Sequence, residues 1–413
     1  MVDIDKAPLG RAYWRLWSSA GLSSLADGVF KVALPLVAVR LTRSPTLIAG
    51  LTFAFTLPWL FFALPAGALA DRLDRRRIML GANTVRAALL GTVVLAVALD
   101  VDALWSLYLV AVCAGVAETL YDTSAQSIVP QVVGRDQLSR ANARLYAVEL
   151  AANEFVGPPF AGVLVAVSAA VAFGVPAVLW VVAVVALVFV RGPFRVARER
   201  RTTMRADIAE GLRFLWGHRL LRTFAVMVGA SNFASNAMMA VLVLYAVGPG
   251  SAMRLSTQAF GVLLSMFAVG SLVGSFVAGR VERALGRART IALAFLAGAL
   301  GIGLPAVTAD PYAIGAAFAL GGAGTIVANI VMVSLRQRIT PDRLLGRINS
   351  GFRLVAWGTM PLGAAVGGLL AQAFGLRAVF AVMAVVALAL LAGMTVVTDE
   401  RLDAAETTAA VRV

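Results

Sequence analysis

Gly67-Ala68-Leu69-Ala70-Asp71-Arg72-Leu73-Asp74-Arg75-Arg76-Arg77 separates two long apolar stretches of the chain. Two hydrophobic spans joined by so few residues form a tight helical hairpin, and the joint carries four arginines. Basic residues resist translocation, which predicts a cytoplasmic position for this joint. Small residues at Gly67, Ala68 and Ala70 allow neighbouring helices to approach closely. Asp71 and Arg75 stand one helical turn apart, the spacing at which a carboxylate and a guanidinium can pair.

Outward from this joint the chain is apolar almost throughout. Of its 413 residues, 60% are hydrophobic and 14% charged, and the mean hydropathy is +0.86. Such a balance belongs to an all-α polytopic membrane protein. A helix needs about 20 apolar residues to cross a bilayer. Twelve stretches satisfy this, at 15–41, 46–67, 77–99, 103–128, 141–166, 168–191, 219–248, 255–280, 288–308, 310–336, 347–374 and 376–398. Almost nothing is left over for a soluble domain.

The net charge of +14 is distributed by topology. With these spans, 30 of the 36 lysines and arginines fall on one side, while Arg40, Arg43, Arg254 and Arg377 flank the other and Lys31 and Arg86 lie inside spans. This is the positive-inside pattern with both termini cytoplasmic. It orients the protein and is not a nucleic-acid footprint. The single cysteine, Cys113, lies in an apolar span, so no disulfide framework is expected. The N-terminus, with Asp3, Asp5 and Lys6, lacks a signal-peptide cleavage pattern, and the first span should persist as a helix.

One half is written twice. Gly134-Arg135-Asp136-Gln137-Leu138, Asn142 and Gly157 to Gly162 are echoed by Thr340-Pro341-Asp342-Arg343-Leu344, Asn349 and Gly363 to Gly368, at an offset of 206 residues for the aspartates and glycines. Gly279-Arg280-Val281-Glu282-Arg283-Ala284-Leu285-Gly286-Arg287 is a weaker copy of the opening joint. An offset of half the chain predicts two pseudo-symmetric six-helix bundles, at 1–191 and 219–413. The polar stretch 192–218 joins them. Within it, Ile208, Leu212 and Leu215 mark one face of an amphipathic helix suited to the membrane surface.

The glycine, Asp-Arg pair and basic run of the joint resemble the loop 2–3 signature of the major facilitator superfamily, with Asp74 standing where that family has a second glycine. Gly157-Pro158-Pro159-Phe160-Ala161-Gly162 resembles the antiporter motif of its drug exporters, with Ala161 in place of one glycine. Gly211-Leu212-Arg213-Phe214-Leu215-Trp216 is similar to central loops in the branch of macrolide- and siderophore-exporter-like proteins. The resemblance implies secondary active export by alternating access. It also implies a conformational latch of Gly67, Asp71, Arg72 and Arg75, closed by an acid in the fourth span, for which Asp122 is best placed.

Enzymatic and ATP-driven readings find no support in the residues. The only histidine, His218, lies between spans, and neither lysine, Lys6 or Lys31, follows a glycine as a phosphate-binding loop requires. No cofactor and no metal are expected. Energy must come from an ion or substrate gradient.

Charges inside spans are therefore the informative residues, since each costs roughly 2.5–3.5 kcal/mol to insert and is retained for a partner or a cavity. Asp27 lies mid-span with Lys31 four residues on, readable as a self-contained pair or as a protonatable carboxylate. Glu118 and Asp122 share the fourth span, either as working carboxylates or as fixed partners of Arg86 or Arg144. Glu149, Asn153 and Glu154 share the fifth, with Glu154 about 20 Å along the helix. The arginine that the family carries in its fourth helix is missing here. Asp27, Glu154 and Glu118 are the candidates for proton coupling. Lys31, Trp59, Glu149, Asn153, Asn232, Asn236 and Trp357 are the candidates for lining a cavity. The expected protein is a monomeric exporter of a drug, antibiotic or natural product by proton antiport in a bacterial inner membrane, its partners being a small-molecule substrate, protons and the bilayer. An importer or facilitator on the same fold, or a sensor that does not transport, are the alternatives.

Overall fold

The structure, a computed structural model, describes residues 9–99, 104–134, 137–190, 192, 194, 204–340 and 342–411. Among them, twelve helices are long and apolar enough to cross a membrane. The first four are α1 (Gly10–Leu41), α2 (Pro45–Arg72), α3 (Arg75–Ala98) and α4 (Leu104–Ile128). The fifth span has three pieces: α5 (Leu138–Leu150), a π-helical turn (Ala151–Val156) and α6 (Gly157–Val167). The sixth is α7 (Ala169–Val188). A connecting helix, α8 (Met204–Gly217), precedes α9 (Arg219–Ala246), α10 (Thr257–Leu285), α11 (Arg287–Val307), α12 (Pro311–Ile339), α13 (Asp342–Phe374) and α14 (Leu376–Ala389). A final helix, α15 (Asp399–Val411), follows.

The chain forms two compact units, one comprising Met1–Arg43, Ala54–Glu199 and Leu255–Ser265, the other Ser44–Phe53, Arg200–Arg254 and Met266–Val413. The start of α2 thus belongs with the second unit and the start of α10 with the first.

The arginine-rich joint is almost entirely helical. α2 continues through Arg72 and α3 begins at Arg75, leaving only Leu73 and Asp74 between them. Three arginines in the first turn of α3 oppose its dipole. The chain offsets this in two ways. Asp74 caps the helix by accepting the Arg77 N–H at 3.1 Å. Arg75 and Arg76 reach away to the orphan carbonyls at the ends of other helices, Arg75 to Ser127 in α4 and Arg76 to Leu187 in α7 at 3.0 Å. Arg15 caps the same end of α7 through Phe189 at 2.8 Å.

In a membrane, helices associate through close packing and hydrogen bonds rather than through hydrophobic burial. The first unit follows that rule. α1 packs on α6 and α7, and α3 on α4 and α7. Gly28 of α1 lies so close to the π-helical turn that a Cβ there would overlap the Asn153 carbonyl oxygen, and Gly157 fits against Gly28 in return. Ser19 donates to Ala183 at 2.8 Å and Tyr13 to Ala141 at 2.9 Å, both across helices.

In the second unit α9 pairs with α13, and α11 with α12 and α14. Thr359 donates to the Gly229 carbonyl at 2.7 Å. The apolar face of α8 packs on α13 of this unit: Leu215 is fully buried and Leu212 covers Gly351. The side chain of Ile208 lies outside the described residues.

The two units start their third helices differently. The equivalent of Asp74 is Gly286, which has φ +81° and no side chain with which to cap α11. The missing carboxylate comes from α15: Asp399 accepts the Ala288 N–H at 3.0 Å. Asp403 and Glu406, on the same face of α15, hold Arg287, with Glu406 at 2.8 Å.

Candidate functional site

Helices α1, α3, α4 and α7 of the first unit bring polar side chains to a common buried region. Asp27 sits on α1 between Ala26 and Gly28, where the close approach of the π-helical turn leaves little room. Arg86 comes from α3, a little over three turns along from Asp74, and is 1% exposed. Its Nη1 donates to both Asp27 oxygens, at 3.1 and 3.4 Å, and to Asn83 Oδ1 at 3.3 Å. Ser23 donates to the same Asn83 oxygen at 3.2 Å. The guanidinium lies between the rings of Tyr121 and Trp180, 5.3 and 5.4 Å from their centroids. Aromatic faces stabilise a desolvated cation without neutralising it.

One turn along α1, Lys31 Nζ meets Glu118 Oε1 of α4 at 2.9 Å. Glu118 is 8% exposed and Lys31 35%. The neighbours on α1, spaced to pair with each other, instead pair across to different helices: Asp27 with α3 and Lys31 with α4.

Several buried polar atoms around these pairs have no hydrogen-bond partner among the described residues: Asn83 Nδ2, Arg86 Nη2, Glu118 Oε2 and Ser124 Oγ. Leaving one such group unmet costs about 1–3 kcal/mol. Their concentration in one place calls for a physical explanation.

The other carboxylates lie around this centre. Asp122 is partly exposed, one turn beyond Glu118 towards the end of α4. Glu149 is partly exposed in the last turn of α5. Asn153 and Glu154 ride on the π-helical turn, where Glu154 is exposed. Single π turns recur at functional sites because they displace side chains from helical register. Pro158 follows in the first turn of α6, where a missing N–H does little harm. Ser265, at the start of α10, donates to the Phe155 carbonyl at 2.9 Å, and Thr257 donates to Gly162 at 2.8 Å.

The remaining sequence candidates are placed as follows. Gly67 is a helical residue of α2, Arg72 is exposed at its end, and Arg75 is directed to the Ser127 carbonyl. The side chain of Asp71 lies outside the described residues. Trp59 is partly exposed on α2. Asn232 donates to Ala356 of α13 at 2.7 Å and so ties two helices, while Asn236 donates to the Asn232 carbonyl of its own helix at 3.0 Å. Trp357 is partly exposed beneath the Arg353 guanidinium, 4.4 Å from its ring centroid. His218 caps α9, accepting the Leu221 N–H at 3.5 Å.

Arg86 is the residue that sequence reasoning passed over. It read only as a cation inside a span, and as one of two partners for the α4 acids. The signal was its position ten residues into an apolar helix, a depth at which an arginine requires a carboxylate. Which carboxylate it meets is a matter of tertiary placement.

A family model described as transmembrane secretion effector matches residues 5–412. The enterobactin exporter EntS of Salmonella typhi is 27% identical over 335 residues, covering 79% of this chain and 78% of its own. The multidrug efflux pump Tap of Mycolicibacterium fortuitum is 27% identical over 372 residues, covering 86% and 88%. Among solved structures, the nucleoside transporter NupG superposes with a TM-score of 0.75 at 14% identity, over 94% of this chain and 99% of that one. A bacterial homologue of the iron transporter ferroportin gives 0.73 at 19% identity, over 93% and 98%. At such identities these structures speak to the fold alone.

Proposed function

The chain belongs to the transmembrane secretion effector family, and from that premise we propose that it exports a small molecule by alternating access, coupled to protons at the Asp27–Arg86 and Lys31–Glu118 pairs. It is a multi-pass major facilitator transporter and not an enzyme, and its relatives include an enterobactin exporter and a multidrug efflux pump. The distribution of basic residues supports a bacterial plasma membrane location with both termini cytoplasmic.

The observation that carries the coupling is the pairing itself. Two acids and two bases, all inside spans, sum to zero charge only while both acids are ionised. A proton on Asp27 leaves Arg86 held by aromatic rings and amides alone. Breaking a buried pair in this way costs about 3–5 kcal/mol unless the surroundings rearrange. That difference is what lets a proton favour one conformation over another. The Asn83 and Ser124 atoms that lack a hydrogen-bond partner among the described residues provide alternative contacts for the released side chains. Glu154, exposed on its π turn, is the candidate for exchanging protons with water, and Asp122 remains the candidate partner for the joint between α2 and α3.

Accumulation of a panel of dyes, antibiotics and siderophores in a pump-depleted bacterium tests this reading. Cells with the wild-type protein should accumulate less of at least one compound, and an uncoupler should remove the difference. Asp27→Asn should lose export, and Glu118→Gln and Glu154→Gln should weaken it. Wild-type export by all three variants would remove these carboxylates from the coupling path.

A further inference from the structure

On the outer side of the first unit, α2, α3 and α4 enclose an open groove of about 550 Å³. Its walls are apolar: Leu69 and Leu73 from α2 and the turn after it, Gly81 and Val85 from α3, and Cys113 and Leu120 from α4. Gly81 opens directly onto the groove, for a Cβ there would meet nothing within 4 Å. At its mouth stand Asp74 and Arg77.

These two charges are not equivalent. The Asp74 carboxylate is turned onto its own helix, accepting the Arg77 N–H. Arg75 and Arg76 are committed to carbonyls of α4 and α7. The Arg77 guanidinium is exposed and has no hydrogen bond or ion pair among the described residues. An uncommitted cation thus heads an apolar furrow. From Arg77 to Val85 the helix rises about 12 Å, close to one leaflet of a hydrocarbon core about 30 Å thick.

We propose that this groove binds one phospholipid with an anionic headgroup, an acyl chain lying between α2 and α4 and the phosphate meeting Arg77. The occupant follows from the surroundings: a furrow on a membrane-spanning helix face is filled from the bilayer, and the cation at headgroup depth selects negative charge. The lipid would sit beside the joint between α2 and α3 and lie outside the ion-pair network.

Native mass spectrometry of the full-length protein in detergent, titrated with palmitoyl-oleoyl phosphatidylglycerol or phosphatidylcholine, tests the assignment. The first phosphatidylglycerol should bind about fivefold more tightly than phosphatidylcholine, as one basic residue at the interface allows. Arg77→Gln should erase the preference while keeping one bound lipid, and Gly81→Phe should abolish that first binding step for both lipids. Equal binding of the two lipids to the wild-type protein, or a first step unaffected by Gly81→Phe, would overturn the proposal. Cys113 gives a second reading without any substitution, since it is the only cysteine in the chain and lines the groove. Phosphatidylglycerol should slow its alkylation by a small maleimide more than phosphatidylcholine does, and equal rates would count against the site even if Gly81→Phe failed to fold.

Discussion

Asp27 and Arg86, 59 positions apart, form a bifurcated contact in which one guanidinium nitrogen reaches both carboxylate oxygens inside the first unit. Their neighbours of opposite sign, Lys31 and Glu118, form a second pair at 2.9 Å. The four charges of these two pairs cancel, and each contact holds two helices together.

Removing one partner of the inner pair should be more damaging than removing both. Arg86→Gln leaves a buried carboxylate without its cation and should lower stability by about 3–5 kcal/mol. The double variant with Asp27→Asn should recover much of that loss while remaining inactive in export. Thermal unfolding in detergent, read beside drug accumulation, checks both halves of the expectation.

The outer pair should behave more mildly. Lys31 keeps 35% of its side chain exposed, so screening reduces the contribution of the contact to about 1 kcal/mol or less. Exchanging the charges, with Lys31→Glu and Glu118→Lys together, should preserve folding better than either single change. Unfolding midpoints of the three variants measure the coupling directly.

Gly28→Ala should disable the protein although it adds a single methyl group. The new Cβ would collide with backbone of the π-helical turn rather than with a flexible side chain. Overpacking of this kind costs about 1–3 kcal/mol, and here it also moves the segment carrying Glu154. A drop in melting temperature together with lost export is expected, whereas Gly81→Ala, facing open space, should leave both unchanged.

Ser265→Ala should remove the hydroxyl that satisfies the Phe155 carbonyl, a loss of about 1 kcal/mol. Faster amide exchange confined to 151–160, measured by mass spectrometry, is the expected signature. Unchanged exchange there would mean that the π turn is held by α1 alone.

Much of the architecture was legible in the chain because bilayer thickness imposes span length, and basic residues mark one face whatever the tertiary fold. The stretch Gly67–Arg77 announced a hairpin, yet its reading as a loop was too generous: only Leu73 and Asp74 leave the helix. Side-chain pairing was less legible. Asp27 and Lys31 have the right spacing to meet, but Arg86 and Glu118 offer each a partner from another helix. Local spacing predicts which contacts are possible, and packing decides among them. The irregularity of the fifth span precedes its proline pair as a π turn, which no period in the sequence encodes. α8 looked suited to the bilayer surface because an amphipathic face does not say whether lipid or protein will cover it. Leu212 and Leu215 found α13.

Asp399 completes the first turn of a helix that begins more than a hundred residues before it. During synthesis, the start of α11 therefore enters the membrane without its cap and stays so until three further spans have followed. The order of translation leaves one end of the second unit provisional, and a ribosome pausing before Asp399 would hold a protein with every span made and one helix start still open.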